Sequence, residues 1–214
     1  MAEPIPPRPS RSLANKVAIV TGAGAIPGAI GNGRAAAILL AEDGCTVICV
    51  DLKIELAEET VEMINKDGFG SGVAVSADVT NAEDCQRIVD LAVCSYGRLD
   101  ILVSNVGVMG AKGNAVDVNM DEFMAGLRIN VASMVQMAKY AIPAMELNEG
   151  QCAGSIVNMS SVAGLRGGTR HILYPTSKGA IVNMTRAMAA NHASQRIRVN
   201  CVCPGMHIIS HSNP

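Results

Sequence analysis

The feature that most constrains this 214-residue chain is an order of local patterns near its start. A wholly apolar run, Val17-Ala18-Ile19-Val20, passes straight into Thr21-Gly22-Ala23-Gly24-Ala25-Ile26-Pro27-Gly28-Ala29-Ile30-Gly31-Asn32-Gly33, where a helical pattern opens and lasts to Asp43. Glycine allows a tight turn and close approach of the main chain to another group. A helix starting at such a turn offers free N–H groups and the positive end of its dipole, a site suited to phosphate. Turns favour glycine anyway, so the order strand, turn, helix carries the inference rather than the glycines alone.

The alternation continues. Strands are expected at Thr46–Val50, ending at Asp51, then at Val73–Val75, Leu99–Ser104, Ser155–Met159 and Ile197–Cys203. Between them lie helical patterns at about 54–66, with Leu56, Val61 and Ile64 on one side, and at Ala82–Tyr96, Asp121–Leu147 and Tyr174–Asn191. In the first helix Ala36, Ile38, Leu39 and Leu40 are available for burial. The strands are unbroken apolar runs, the mark of a parallel sheet covered on both faces. Right-handed crossovers then give one doubly wound α/β sheet of about six strands, ordered 3-2-1-4-5-6. The expected organisation is a disordered, Pro-rich tail over residues 1–14 and a single domain over 15–214, its glycine turn suited to a dinucleotide. The tail has no apolar core of a secretory signal and Ala35–Ala41 is too short to span a bilayer, so the expected location is cytoplasmic.

Composition removes several functions. The net charge of −2 gives no reason to expect nucleic acid or anionic membrane as a partner. With no Trp, three Tyr and two Phe, stacking platforms for single strands are missing. The seven cysteines include no C-x-x-C pair, so no metal site is expected, and buried, reduced thiols suit a reducing compartment. His207 and His211 lie four apart without a third ligand.

Asp51 ends the second strand 18 residues beyond Gly33. An acid there accepts hydrogen bonds from an adenosine ribose diol and repels a 2′-phosphate, favouring NAD over NADP. Arg34 and Lys53 lie nearby and soften that preference, so NADP stays open.

Tyr174-Pro175-Thr176-Ser177-Lys178 supplies the chemistry. Residues four apart share a helix face. A phenol ordinarily titrates near pH 10, and an adjacent ammonium stabilises its anion and draws it toward working pH. Asn158-Met159-Ser160-Ser161 ends the fifth strand at the carboxyl edge, where open α/β sheets bind ligands.

From Lys16 to Gly205 the chain resembles the short-chain dehydrogenase/reductase family. Thr21-Gly22 with Gly31-Asn32-Gly33 is similar to its TGxxxGxG, and Asp78-Val79 looks like its adenine-contacting segment. Asn105-Val106-Gly107 resembles its NAG, Asn130 falls at its helical Asn, and Ser161 precedes Tyr174 by the family's 13 residues. Pro204-Gly205 completes the set. The resemblance implies a Rossmann fold, hydride transfer between NAD(P) and an alcohol or ketone, and a homodimer or homotetramer. It implies Tyr174 as general acid/base and Lys178 as the group that stabilises its phenolate and holds the nicotinamide ribose. Ser161 would bind the reacting oxygen, and Asn130 would position a water. Ser160 points to the other side of its strand and takes no role.

Two departures stand out. The glycine turn is long: one alignment makes Gly31 and Gly33 the second and third glycines, another uses Ile30-Gly31 and leaves Ala29 where glycine belongs. After Pro204-Gly205 only nine residues remain, so a seventh strand is not expected, the sixth becomes an exposed edge, and turnover is expected to be reduced or absent. The competing reading is a catalytically impaired dinucleotide-binding protein. His171 reads as a loop residue, Arg166 and Arg170 as solvated, and Met120, Met124, Met134, Met137, Met184 and Met188 as core or subunit interface.

Overall fold

Strands and helices alternate through residues 11–26 and 28–205, which the computed structural model describes. In chain order they are β1 (Val17–Thr21), α1 (Asn32–Glu42), β2 (Thr46–Asp51), α2 (Ile54–Asp67), β3 (Ser71–Ser76), α3 (Ala82–Tyr96), β4 (Ile101–Ser104), α4 (Met120–Leu127), α5 (Ser133–Glu146), β5 (Gly154–Met159), α6 (Leu173–His192) and β6 (Ile197–Val202). All pairings are parallel and the order is β3-β2-β1-β4-β5-β6, the doubly wound α/β sheet expected from the sequence. Pro27 and the calls on residues 1–10, His207 and His211 lie outside the described residues. Leu13 already belongs to the fold, since its N–H donates to Asp43 O and its side chain packs under α1.

Alternate residues of the central strands face opposite ways, and both faces are apolar. Ile19, Ile48, Leu102 and Ile156 pack with Ile88 of α3 and Met137 and Met145 of α5. Ala18, Val20, Val47 and Cys49 pack with Ala37 and Ala41 of α1 and Ala57 and Ile64 of α2. Fully burying one such branched side chain stabilises by ~1.5–3 kcal/mol, so unbroken apolar strands are stable only between two helical layers.

The structure departs from the sequence expectations in four places. In α1 the inward stripe is Gly33, Arg34, Ala37 and Ala41, while Leu39 is exposed. Small residues at helical spacing let α1 lie close to the sheet, and that close fit outweighs the hydrophobicity of Leu39. The helix expected over 121–147 is interrupted by a π-helical turn, Arg128–Ala132, between α4 and α5. Cys45, Cys49 and Cys85 are buried, but Cys94 and Cys152 are exposed and Cys201 and Cys203 half-buried. Met134, Met137 and Met145 belong to the core, whereas Met120 and Met124 are exposed.

Local signals explain the element ends near the site. Asn81 Oδ1 accepts from the N–H groups of Glu83 and Asp84 to start α3, and Asn119 caps α4 through Glu122 N. α1 starts differently: Gly31 is its N-cap and no side chain satisfies its first turn. Its leading N–H groups keep their capacity for an outside acceptor.

Candidate functional site

β1 delivers the chain into a crevice of about 470 Å3 between the ends of β1, β2 and β4. Of the cofactor residues expected from the sequence, Gly22, Asp51, Asp78, Val79, Asn105 and Gly107 line it, together with Gly24, Leu52, Thr80, Val106 and Val108. Gly31 and Gly33, at the start of α1, do not line it. Gly22 has φ +64°, the left-handed region that favours glycine. At Gly33 a Cβ would lie 1.9 Å from Gly22 O, so only glycine permits this approach of α1 to the turn. At Gly31 a Cβ would meet nothing nearer than Ala25 Cβ at 3.6 Å, and Ile30 is exposed and does not line the crevice. Asn105 ties β4 to this turn by donating from Nδ2 to Gly22 O at 2.9 Å.

Asp51 faces the same space from the end of β2. Its carboxylate accepts from Gly24 N at 3.0 Å and from Lys53 N at 3.2 Å. A Cβ on Gly24 would fall 2.5 Å from Leu56 Cβ, so Gly24 is what lets the turn lie against the acid. Asp78 is anchored through its neighbours: its N–H donates to Asp84 and its Oδ1 accepts from Thr80 N. Arg34, read from the sequence as softening the NAD preference, is wholly buried beneath the turn with its guanidinium committed to Glu59, Thr60 and backbone carbonyls.

The second cluster lies on α6. Pro175 fits the first turn, where a missing N–H costs nothing. Lys178 Nζ stands 5.6 Å from the centroid of the Tyr174 ring and donates to Met159 O at 2.9 Å. Lys178 is 4% exposed. Burial holds its ammonium below the usual lysine range, and the nearby Cys201 and Cys203 thiols oppose that only in part. Gly107 makes room for it, since a Cβ there would sit 3.2 Å from Nζ and 3.6 Å from Asn130 Oδ1.

Asn130 lies in the π-helical turn and is fully buried. It pairs with the backbone of Val108 in both directions, accepting from its N–H at 2.8 Å and donating to its carbonyl at 2.9 Å. Its remaining amide hydrogen goes to Ser177 Oγ at 2.9 Å, which in turn donates to Tyr174 O. Both amide hydrogens are therefore spent on protein. The side chain locks the 105–108 segment to α6. Ser177 was not singled out from the sequence; its signal is a small polar residue adjacent to Lys178 on a helix with little room.

Ser161 follows β5, where it caps a short 3₁₀ turn by accepting from Ala163 N at 3.1 Å. That turn packs on α6 at Lys178, for a Cβ on Gly164 would meet the Lys178 carbonyl at 2.5 Å. Ser160 points inward and donates to Lys178 O at 2.7 Å. Pro204 joins the cluster through its carbonyl, which accepts from Val162 N at 3.0 Å; Gly205 is exposed. His171 Nδ1 accepts from Gly113 N, tying two loops together, and Arg166 and Arg170 are exposed. A larger apolar groove of about 570 Å3 lies on the opposite sheet face between α1 and β4–β6; of the site residues named above only Met159 lines it. Among the described residues no cluster of three potential metal ligands occurs, and no helix is long and apolar enough to cross a membrane.

The family model for short chain dehydrogenase matches residues 16–210. The chain is 40% identical over 190 residues to an uncharacterized oxidoreductase of Thermotoga maritima, covering 89% of this chain and 71% of that one. It is 32% identical over 196 residues to cyclohexanol dehydrogenase of Acinetobacter sp., covering 92% and 74%. Among solved structures, a short-chain dehydrogenase/reductase of Burkholderia xenovorans superposes with TM-score 0.85 at 38% identity, covering 92% of this chain and 77% of that one. NAD+-bound xylitol dehydrogenase superposes with TM-score 0.81 at 35% identity, covering 90% and 70%. The chain spans about two thirds to three quarters of the length of the relatives it matches. With the sheet order, the glycine turn and the Tyr174–Lys178 pair in place, the chain belongs to the short-chain dehydrogenase family.

Proposed function

We propose that this chain transfers hydride between a nicotinamide dinucleotide and a small secondary alcohol or its ketone, with Tyr174 as the acid/base. The observation that carries the reading is the buried Lys178 ammonium 5.6 Å from the Tyr174 ring centroid. The residues present fit a dinucleotide. The uncapped start of α1 and the close Gly22–Gly33 contact suit a pyrophosphate, and Asp51 suits a ribose diol.

When bound, the nicotinamide supplies and accepts the hydride. Tyr174 Oη gives a proton to the carbonyl oxygen in reduction and takes it from the alcohol in oxidation. Lys178 stabilises the phenolate left behind; its burial strengthens that effect, because charge is poorly screened there. Ser161 has a hydroxyl hydrogen to offer the reacting oxygen, since its oxygen is the acceptor in its bond with Ala163 N. Asn130 acts as a positioning residue, fixing the floor of the crevice relative to α6. Asp51, with Arg34 committed elsewhere, favours NAD over NADP.

Relatives named for cyclohexanol, 2,3-butanediol and xylitol support a secondary alcohol as the substrate class. The test is a fluorescence titration with NADH and NADPH, joined to a turnover screen of small secondary alcohols and ketones. Tighter NADH binding with turnover is expected. Binding without turnover would favour a dinucleotide-binding protein without catalysis, and binding of neither would remove the reading.

A further inference from the structure

The lengthened glycine turn has an anchor. Arg34, one residue past Gly33, is 0% exposed, a rare state for an arginine unless it is fully paired. Its Nη1 donates to Ala29 O at 2.8 Å, its Nε to Thr60 Oγ1 at 3.0 Å and its Nη2 to Glu59 Oε2 at 2.7 Å. Leu56 O and Ala25 O lie at 3.4 and 3.5 Å from the same Nη2. Thr60 Oγ1 donates to Ala23 O at 2.8 Å, and the N–H of Gly28 adds a donor to Glu59. The turn is thus held at Ala23, Ala25, Gly28 and Ala29 by one arginine on α1 and two side chains of α2. Gly24 is held separately by Asp51.

A turn with this many residues has many conformations, and ordering it when a ligand arrives costs affinity. A guanidinium suits the anchor, because its planar fork reaches several acceptors at fixed angles, which an ammonium cannot. Glu59 compensates the charge that Arg34 carries into the interior. Arg34 holds the Glu59 carboxyl below its usual range by hydrogen bonding.

We propose that Arg34, paired with Glu59, is the positioning residue of the dinucleotide site: it fixes the long turn in its binding shape from beneath and thereby sets dinucleotide affinity without touching the reacting atoms. The inference rests on the dinucleotide reading of the crevice. It assigns Ala23, Ala25, Gly28 and Ala29 of the long turn a held conformation.

The test compares wild type, Arg34→Lys, Glu59→Gln and the control Glu58→Gln, which removes a charge from the exposed side of the same helix. NADH affinity is measured by fluorescence, and amide exchange of the turn is followed without dinucleotide. Arg34→Lys is expected to raise the NADH Kd about tenfold or more and to speed exchange at the amides of Ala23, Gly24, Ala25, Gly28 and Ala29. kcat at saturating dinucleotide should stay within about twofold, which loss of general stability would not produce. Glu59→Gln should shift Kd and exchange in the same direction and keeps the proposal testable if Arg34→Lys does not fold. The control should match wild type. Folded Arg34→Lys and Glu59→Gln variants with wild-type Kd and exchange would overturn the proposal, as would a fall in kcat at unchanged Kd. Failure of wild type itself to bind NADH would overturn the dinucleotide reading, and this proposal with it.

Discussion

The two halves of the sheet use their polar groups in opposite ways. Around β1–β3 nearly every buried polar group already has a protein partner. Arg34, Thr60 and Asp51 bind the glycine turn from below and from the side, and Asn105 at the end of β4 reaches across to it. Around β4–β6 capacity is left over. Lys178 is buried with a single carbonyl acceptor, and Ser104 Oγ and Asn158 Oδ1 are buried without a hydrogen-bond partner among the described residues. Unpaired buried polar groups cost stability, so a fold tolerates them where something other than stability is served. On the function proposed above, the half that would hold the dinucleotide keeps one shape, and the half that would carry the chemistry keeps a buried ammonium beside Tyr174.

The sharpest way to break this contrast is at Lys178. Replacing it by Met keeps the volume and removes a buried charge. Turnover should fall by at least ~10²-fold, the lower range for a lost acid/base contribution. Thermal stability should not fall, because burial disfavours the ammonium in the folded state. The sign follows from linkage: a lysine whose pKa is lowered on folding weakens the protein below that pKa, and the penalty fades as pH rises toward the unfolded value. Wild-type Tm should accordingly climb with alkaline pH relative to the Met variant. A Lys178→Met protein with a much lower Tm would show that Lys178 is part of the scaffold instead.

On the nucleotide side the largest structural effect belongs to Gly33→Ala. Its Cβ would collide with Gly22 O, backbone against backbone, and overpacking of that kind costs about 3 kcal/mol or more. Gly31→Ala, with open space around it, should change Tm by less than about 2 °C. Equal effects in a melting experiment would mean that the turn is not held as described. Asp51→Ala comes next, with NADH affinity falling about tenfold and the gap to NADPH narrowing, both read by titration.

The smallest effect lies at the far end of the sheet. Asp100 accepts from Arg98 at 2.7 Å and from Val17 N and Lys16 at 3.0 Å. Burial alone would raise its pKa, but these donors outweigh burial and hold it below the usual carboxylate range. A depressed carboxylate stabilises the fold above its unfolded pKa, and that stability is lost as pH falls through the folded value. Asp100→Asn should therefore cost about 1–2 kcal/mol at neutral pH and flatten the acid limb of a Tm–pH curve.

The difference between the halves also explains what sequence could and could not convey. The parallel sheet was legible because its central strands, β1, β2 and β4, are apolar on both faces, a property of residue types alone; β6 instead alternates, with Ile197 and Val199 buried and Arg198 and Asn200 exposed. Tyr174 and Lys178 were legible because four residues on one helix fix their relation. The role of Arg34 was not, since a charged residue beside a phosphate-binding turn suggests contact with phosphate. Its burial depends on Glu59 and Thr60, some 25 residues away. Asn130 was legible as a position but not as a geometry. The π-helical turn arises where its side chain pairs with the backbone of Val108, a contact 22 residues distant that no helical periodicity encodes.

The central claim is that the phenol of Tyr174 moves the proton while the glycine-lined half holds the dinucleotide independently. The most direct test measures NADH binding and alcohol turnover in parallel for wild type and Tyr174→Phe. Both proteins should bind NADH with Kd values within about twofold, while the Phe variant loses turnover by ~10²–10⁴-fold. Undiminished turnover in Tyr174→Phe, or loss of NADH binding along with the hydroxyl, would contradict it.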